Sequence, residues 1–204
     1  NGVDEVKRKF FGTLYNTYSF FALYANIDNF NYKENEIKFE EKPELDRWII
    51  SELNTLISKV EKFYEDYEPT KAAREISNFV IDNLSNWYVR LSRRRFWKGE
   101  YELDKISAYQ TLFTVLANIC KISAPISPFF MDKMFQDLTR NIDEKFSESV
   151  HLESFPVSDA SKIDKDLQEK INYAQIISSL TLSLRAREKI KVRQPLNRIL
   201  IPVD

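Results

Sequence analysis

The sequence has few of the residues that build covalent or metal-based sites. Its single cysteine, Cys120, excludes an internal disulfide, and one cysteine with one histidine, His151, is too little for a structural zinc site made by this chain alone. Only three glycines occur in 204 residues, and there is no Gly-rich phosphate-binding loop. No apolar run approaches the length that spans a membrane. Nothing in the sequence assembles a catalytic site.

The residues that are present favour long helices around a sizeable core. Hydrophobic residues make up 43% of the chain and aromatic residues 14%. Because apolar residues recur with helical spacing almost throughout, we predict an all-α fold, an antiparallel bundle of about five to six long helices. The chain begins without methionine and without the features of a signal peptide, which favours an excised fragment over a complete gene product.

The apolar pattern also predicts where each helix lies. The expected helices run roughly over 3–26, 44–67, 70–97, 104–124, 128–140 and 164–189, and Gly99 is a plausible stop for the third. Short extended pieces are expected near Ile37–Phe39 and Ser149–Phe155, and the alternating tail after residue 190 should also be extended. We therefore divide the chain into a helical bundle over 1–190 and an extended junction over 191–204 that enters a following domain.

Charge is strongly segregated although the formal net charge is only −1. Residues 70–98 hold seven basic and two acidic residues, and residues 183–198 hold six basic and one acidic. Acidic residues dominate 31–69 and 143–169 instead. Two basic zones in a nearly neutral chain predict a local anionic partner.

The first basic zone ends the third predicted helix. Between residues 83 and 99, five basic and four aromatic residues occur without one acidic residue. At 3.6 residues per turn, one stripe should face the core: Ile76, Val80, Leu84, Trp87 and Leu91. A second stripe lies about a quarter-turn away: Asn83, Asn86, Arg90, Arg93 and Trp97. Because the core stripe continues into arginines, we expect the helix to leave the bundle near its end.

The second stripe has the chemistry of a surface for single-stranded RNA. Guanidinium groups pair bidentately with phosphate, asparagine can both donate to and accept from a base edge, and unpaired bases stack on aromatic rings. We expect Trp87 and Tyr88 in the core, whereas Trp97 suits either burial or stacking. A solvated helix face, or pairing of Arg90 and Arg93 with the acidic 31–69 region, would also explain the pattern.

The second basic zone offers weaker candidates. Lys191 and Arg193 would share one side of an extended Ile190–Pro195 segment, because alternate residues of a strand face the same way. They could then contact a phosphate backbone. A solvated junction between domains is at least as good an interpretation.

Leu45–Asn54, at the start of the second predicted helix, resembles the helix that opens the anticodon-binding domain of the class I aminoacyl-tRNA synthetases for isoleucine, valine and leucine. Asn86–Trp97, with its Arg-Arg-Arg-Phe-Trp continuation, is similar to the isoleucyl-tRNA synthetases in particular. Further similar segments follow in the family's order: Ala108–Leu112, Ala124–Phe129, Ser149–Pro156 and Lys191–Leu196. The resemblance covers nearly the whole chain.

The resemblance implies a recognition domain of a larger enzyme. The parent would use ATP and Mg²⁺ to join isoleucine to tRNA(Ile) in the cytoplasm and would hydrolyse mischarged tRNA in a separate editing domain. The His-Ile-Gly-His and Lys-Met-Ser-Lys-Ser signatures of the family's catalytic domain are absent here. This fragment is thus expected to hold no catalytic residue, metal or cofactor, although zinc ligands found at the far C terminus of many members would lie in a missing region. Its expected partners are tRNA(Ile) and the missing catalytic and C-terminal domains, and no membrane.

The resemblance also places the second stripe on the anticodon side of the tRNA. The expected tRNA-binding residues are Asn83, Asn86, Arg90, Arg93, Arg94 and Trp97, with Lys191 and Arg193 as weaker candidates. The alternative is a helical protein-interaction module without an RNA role, which predicts an exposed apolar groove in place of a basic rim. Arginines locked in ion pairs would contradict the RNA hypothesis.

Overall fold

Helices form nearly all the regular structure in the computed structural model, which describes residues 2–32, 34–98, 100–140, 142 and 146–201. No β-strand occurs in these ranges, and the predicted all-α bundle is confirmed. The chain divides into one unit up to Asp164 and a second from Lys165. The boundary between the two units therefore lies earlier in the chain than the boundary after residue 190 that the sequence suggests. The predicted helix stop at Gly99 lies outside the described residues.

Five long helical segments build the described part of the first unit. In chain order the helices are α1 (Gly2–Val6), the π-helical stretch π1 (Lys7–Phe11), α2 (Gly12–Ile27), α3 (Glu44–Glu65), α4 (Pro69–Asn78), the π-helical stretch π2 (Phe79–Val89), α5 (Arg90–Trp97), α6 (Leu103–Ser123) and α7 (Pro128–Thr139). Because α1, π1 and α2 are contiguous, as are α4, π2 and α5, each set forms a single long helix. Short 3₁₀ turns follow at Phe39–Glu41, Val150–Leu152 and Ala160–Lys162.

The two extended pieces predicted near Ile37–Phe39 and Ser149–Phe155 are not strands in the structure. Near Ile37, the side-chain amide of Gln110 forms hydrogen bonds with two backbone groups. Its Nε2 donates to the carbonyl of Asn35, and its Oε1 accepts from the N–H of Ile37, both at 3.0 Å. Gln110 is itself buried. A side-chain amide therefore takes the place of a partner strand.

An aromatic cluster packs α5 against α2 and α6. The ring of Phe96 meets Tyr109 edge-on, with centroids 5.0 Å apart, and meets Phe20 in the same way at 5.1 Å. Phe30 stacks on the other side of Tyr109 at 4.9 Å. The Tyr109 hydroxyl donates to Asp28 at 2.6 Å. Because Phe96 is fully buried, the expectation that this helix leaves the bundle near its end is wrong.

The buried stripe of the third long helix recurs every fourth residue. Its members are all at most 1% exposed: Ala72, Ile76, Val80, Leu84, Tyr88, Ser92 and Phe96. A π-helix closes i→i+5 hydrogen bonds and so takes more residues per turn than an α-helix, which advances the core positions beyond Leu84 by one. Trp87 is consequently only half-buried and Leu91 is 55% exposed, so their predicted core positions are wrong. Tyr88, also predicted in the core, is buried.

The second unit consists of α8 (Lys165–Arg187) and a turn-containing tail. The helix begins directly after Asp164, as the sequence predicts. Arg185 Nη1 donates to the carbonyls of Lys191 and Gln194, each at 2.9 Å, and the N–H of Gln194 donates to the Lys191 carbonyl at 3.0 Å. The predicted extended course over Ile190–Pro195 is therefore wrong, because Lys191 to Gln194 form a turn.

The shifted core stripe makes a prediction for two substitutions on α5. Phe96→Ala should lower the free energy of unfolding by about 3–5 kcal/mol, because it removes a buried ring. Leu91→Ala should change it by no more than about 0.5 kcal/mol, because that side chain faces solvent. Urea unfolding followed by circular dichroism measures both. A larger effect at Leu91 would show that the helix keeps a 3.6-residue register.

Candidate nucleic-acid interface

Most of the predicted contact residues of the third long helix are exposed together. Arg90, Arg93, Arg94 and Trp97 are exposed, and their spacing of i, i+3, i+4 and i+7 places them on one face of α5. Trp97 is 59% exposed, so it is not a core residue. We call Arg90, Arg93, Arg94 and Trp97 the basic face. Asn86, also exposed, lies four residues before Arg90 at the end of π2.

The three arginines of the basic face make no ion pair with any residue that the structure describes. Every ion pair among the described residues uses another cation, so no described carboxylate pairs with Arg90, Arg93 or Arg94. The alternative in which Arg90 and Arg93 pair with the acidic 31–69 region is therefore wrong. Lys98 adds a further cation, with Nζ 5.7 Å from the centroid of a Trp97 ring. This part of the surface therefore carries four basic residues and an accessible indole.

Arg95, which follows Arg94 in the sequence, is paired with carboxylates of the protein. Its Nη1 and Nη2 donate to the two carboxylate oxygens of Asp46 at 2.6 and 2.8 Å. Its Nε donates to the Asp104 carboxylate at 3.0 Å, and Nη2 also donates to the Asp104 carbonyl at 2.8 Å. The Arg95 side chain is only 15% exposed, and that of Asp46 is 0% exposed. Arg95 therefore belongs to the packed side of α5.

Asp46, on α3, joins two other helices, the third long helix and α6. Besides Arg95 of α5, it accepts from the Tyr88 hydroxyl of π2 at 2.9 Å and from Ser107 Oγ of α6 at 2.6 Å. Burial raises the pKa of Tyr88 well above its usual value, and the Asp46 charge adds to that effect. Burial alone would lower the pKa of Arg95, but its bonds to Asp46 raise it overall. We call Asp46, Tyr88, Arg95 and Ser107 the Asp46 clamp.

Sequence reasoning missed this clamp. Asp46 lies in the first turn of α3, where an acidic residue is usually explained by the helix dipole. The available signal was its place among buried neighbours, since Ile49, Ile50 and Leu53 follow it on the same helix. Its partners lie 42 to 61 residues further along the chain, a distance that periodicity does not reveal.

Asn83 has different surroundings from the basic face. It is half-buried and lines a cavity of about 180 Å³ between α3 and the third long helix, together with Glu52, Glu75, Asp82 and Lys59. Burial raises the pKa of Glu52. Three carboxylates disfavour a phosphate at this position. The structure thus groups Asn83 with an acidic cavity rather than with the free arginines.

The remaining predicted contacts belong to the second unit, where Lys191 and Arg193 are both exposed. Their alignment along one side of a strand is wrong, because Lys191 opens the turn that Arg185 holds. The alternation of side chains along a strand therefore gives no reason for Lys191 and Arg193 to face the same side. Their contact with RNA stays a prediction.

An apolar groove is present elsewhere on the first unit. It has a volume of about 380 Å³ and lies among α1, π1, the third long helix and the connection from α6 to α7, with Val6, Phe10, Ile81, Ile126 and Met131 in its lining. The protein-interaction alternative predicted such a groove in place of a basic rim. The described residues form both features, at separate positions.

Other kinds of site are not evident in the described ranges. No three His, Cys, Asp or Glu side chains gather there as a metal site would require. None of the helices in these ranges has the length and apolar character needed to cross a membrane. Cys120 is buried, which raises the pKa of its thiol, and His151 is exposed.

Comparison with known proteins identifies similar sequences over the whole chain. The family described as anticodon-binding domain of tRNA ligase matches residues 46–200. The isoleucine–tRNA ligases of Bacteroides thetaiotaomicron and Porphyromonas gingivalis are 57% and 58% identical over 203 and 202 residues, which are 100% and 99% of this chain. That of Dehalococcoides mccartyi is 49% identical over 197 residues, or 97% of the chain. The chain spans only 17–19% of the length of these relatives.

The Asp46 clamp predicts unequal effects at two adjacent arginines. Arg95→Ala should lower the free energy of unfolding by about 3–5 kcal/mol, because the buried Asp46 charge loses its bidentate partner. Arg94→Ala should change it by no more than about 0.5 kcal/mol, because that side chain is exposed and unpaired. Chemical denaturation of both variants gives the comparison. Equal effects would contradict the assigned contacts.

Proposed function

The chain belongs to the family of anticodon-binding domains of tRNA ligases, and from this premise we propose that it binds the anticodon side of tRNA(Ile) within an isoleucine–tRNA ligase. The observation that carries the proposal is the basic face, where three arginines that make no ion pair within the described ranges share one face of α5 with an exposed indole. The assignment to isoleucine is supported by relatives that are 57% and 58% identical and are named isoleucine–tRNA ligases.

The free arginines suit the phosphates of a single strand. A guanidinium offers two parallel N–H donors to a phosphate, and each hydrogen bond to a charged group contributes about 1.5–3 kcal/mol. Because Arg90, Arg93 and Arg94 have no ion pair within the described chain, phosphate binding requires none to be broken. The RNA hypothesis therefore requires no rearrangement of ion pairs on this face.

The exposed indole suits an unstacked base. Trp97 lies one helical turn beyond Arg93 and Arg94, so a base stacked on it would have its flanking phosphates near those cations. Stacking of a base on an aromatic side chain contributes roughly 1–3 kcal/mol. Asn86 would add donors and an acceptor for a base edge. We propose Asn86, Arg90, Arg93, Arg94 and Trp97 as contacts, and Asn83, Lys191 and Arg193 as secondary candidates.

The proposed parent enzyme supplies the chemistry. It would use ATP and Mg²⁺ to activate isoleucine, transfer it to tRNA(Ile) and remove mischarged amino acids in an editing domain. This domain would bind and position the tRNA and would contribute no catalytic group. Its other partners would be the catalytic and C-terminal domains of the same polypeptide, which could include a zinc site, and the protein would act in the cytoplasm.

Removal of two arginines tests the proposed RNA contact. Arg90→Ala combined with Arg93→Ala should weaken binding of a tRNA(Ile) transcript at least about tenfold, because two charged contacts are lost. The slope of log K against log salt should become shallower by about 1.4, or about 0.7 per lost phosphate contact. Fluorescence anisotropy at several salt concentrations measures both quantities.

A matched control removes the same charge elsewhere. Arg8→Ala combined with Arg74→Ala deletes two exposed arginines outside the basic face and should leave affinity nearly unchanged. A tRNA(Ile) transcript with a swapped anticodon should bind more weakly than the native sequence. Equal binding by the Arg90/Arg93 double variant and the unaltered protein would contradict the proposed site. Absence of any tRNA binding would favour the protein-interaction alternative.

Trp97→Ala separates stacking from packing. Affinity for tRNA(Ile) should fall by roughly 1–3 kcal/mol, about 5- to 150-fold, because the stacking platform is lost. The melting temperature should stay nearly constant, because the ring is mostly exposed. Trp97→Phe should retain part of the affinity. A large fall in melting temperature with Trp97→Ala would instead show that the ring supports the core.

A further inference from the structure

We propose that Arg95 is a positioning residue for RNA binding: held by the buried Asp46, it fixes the last turn of α5 so that the basic face is presented to the tRNA. Arg95 itself does not touch the RNA. The inference rests on the function proposed above, since it explains how that face is oriented.

The Arg95 guanidinium is already committed to protein acceptors. Four of its five N–H groups donate, two to the Asp46 carboxylate and two to the carboxylate and carbonyl of Asp104. Two carboxylates neutralise its charge. A phosphate would have to displace these bonds to reach it. Arg95 therefore differs from its neighbours Arg93 and Arg94, whose guanidinium groups make no ion pair in the described part of the chain.

The clamp acts at the place where it can set the direction of the basic face. Arg95 stands between Arg94 and Trp97 in the last turn of α5. Asp46 lies in the first turn of α3 and Asp104 in the first turn of α6, so Arg95 ties this turn to the starts of two other helices. Because side chains of one turn move together with their backbone, loss of this tie would change where the free cations and the indole point.

Arginine is suited to this role and lysine is not. The planar fork of a guanidinium matches both oxygens of one carboxylate at once, which fixes orientation as well as distance. A lysine ammonium at the same position would retain the charge but would bind as a point, without that directional constraint. The fork also leaves Nε free to reach Asp104.

The Asp46→Asn variant is a sharp test, because a purely electrostatic effect and a positioning effect predict opposite changes in RNA affinity. The amide is nearly isosteric, and it removes a negative charge that cannot contact RNA directly, because Asp46 is fully buried. Electrostatics alone therefore predicts equal or tighter binding of a polyanion. Positioning predicts binding roughly tenfold weaker, since an amide offers one acceptor oxygen to the fork and contacts within one network are coupled.

The measurement uses the whole chain and the tRNA(Ile) transcript. Affinity is compared for the unaltered protein, Asp46→Asn, Arg95→Ala and the double variant, at a temperature where circular dichroism shows each one folded. If Arg95 acts through Asp46, the double variant should bind about as weakly as the weaker single variant. Independent, additive losses would show instead that Arg95 makes its own RNA contact and would overturn the proposal.

Arg95→Lys keeps the test decisive if Asp46→Asn does not fold. Positioning predicts that this variant binds weakly although its charge is retained, whereas a simple charge contact predicts near-normal affinity. A purely structural role would lower the melting temperature and leave the affinity of the folded protein unchanged. Either near-normal affinity in Arg95→Lys or equal or tighter binding in Asp46→Asn would overturn the inference.

The failures of the two proposals are distinguishable. If Arg90→Ala with Arg93→Ala weakens binding while Asp46→Asn and Arg95→Lys do not, the basic face binds RNA without help from the clamp, and only the positioning role is wrong. If the Arg90/Arg93 variant also binds normally, the proposed function of this face is wrong.

Discussion

The buried carboxylate of Asp46 is the contact on which the arrangement of the first unit depends. It is withdrawn from water and receives hydrogen bonds from two other helices, the third long helix and α6. An unpaired charge in that position would cost several kcal/mol, so each donor is constrained to remain in place. The same contact distinguishes the arginines of α5: it engages Arg95, whereas no carboxylate among the described residues pairs with Arg90, Arg93 or Arg94.

Much of the fold follows from the sequence because helix positions depend on local periodicity. The long helices, the start of α7 at Pro128 and the start of α8 after Asp164 are where the apolar pattern places them. The pattern fails where a different hydrogen-bonding register enters. No residue type indicates the π-helical stretch π2, and its extra residue moved Trp87 and Leu91 out of the core and brought Phe96 into it.

The candidate site was partly predictable for a related reason. Exposure of Arg90 and Arg93 follows from their position on one helix face, which needs only local geometry, whereas the sequence left Trp97 open between burial and stacking. The roles of Arg95 and Asn83 depend on residues of α3 and α6 that are distant in sequence. Likewise, the turn at Lys191 depends on the side chain of Arg185, which competes successfully with the β-branched pattern of the tail.

The hydrogen bonds between Gln110 and the backbone around Ile37 affect how readily this segment could pair with a neighbouring molecule. An extended segment with free backbone groups is a template on which a neighbouring molecule can add a strand. Here a buried amide from within the same molecule occupies those groups. The carbonyl of Asn35 and the N–H of Ile37 are therefore not available to a neighbouring strand, which disfavours intermolecular β-pairing at this connection.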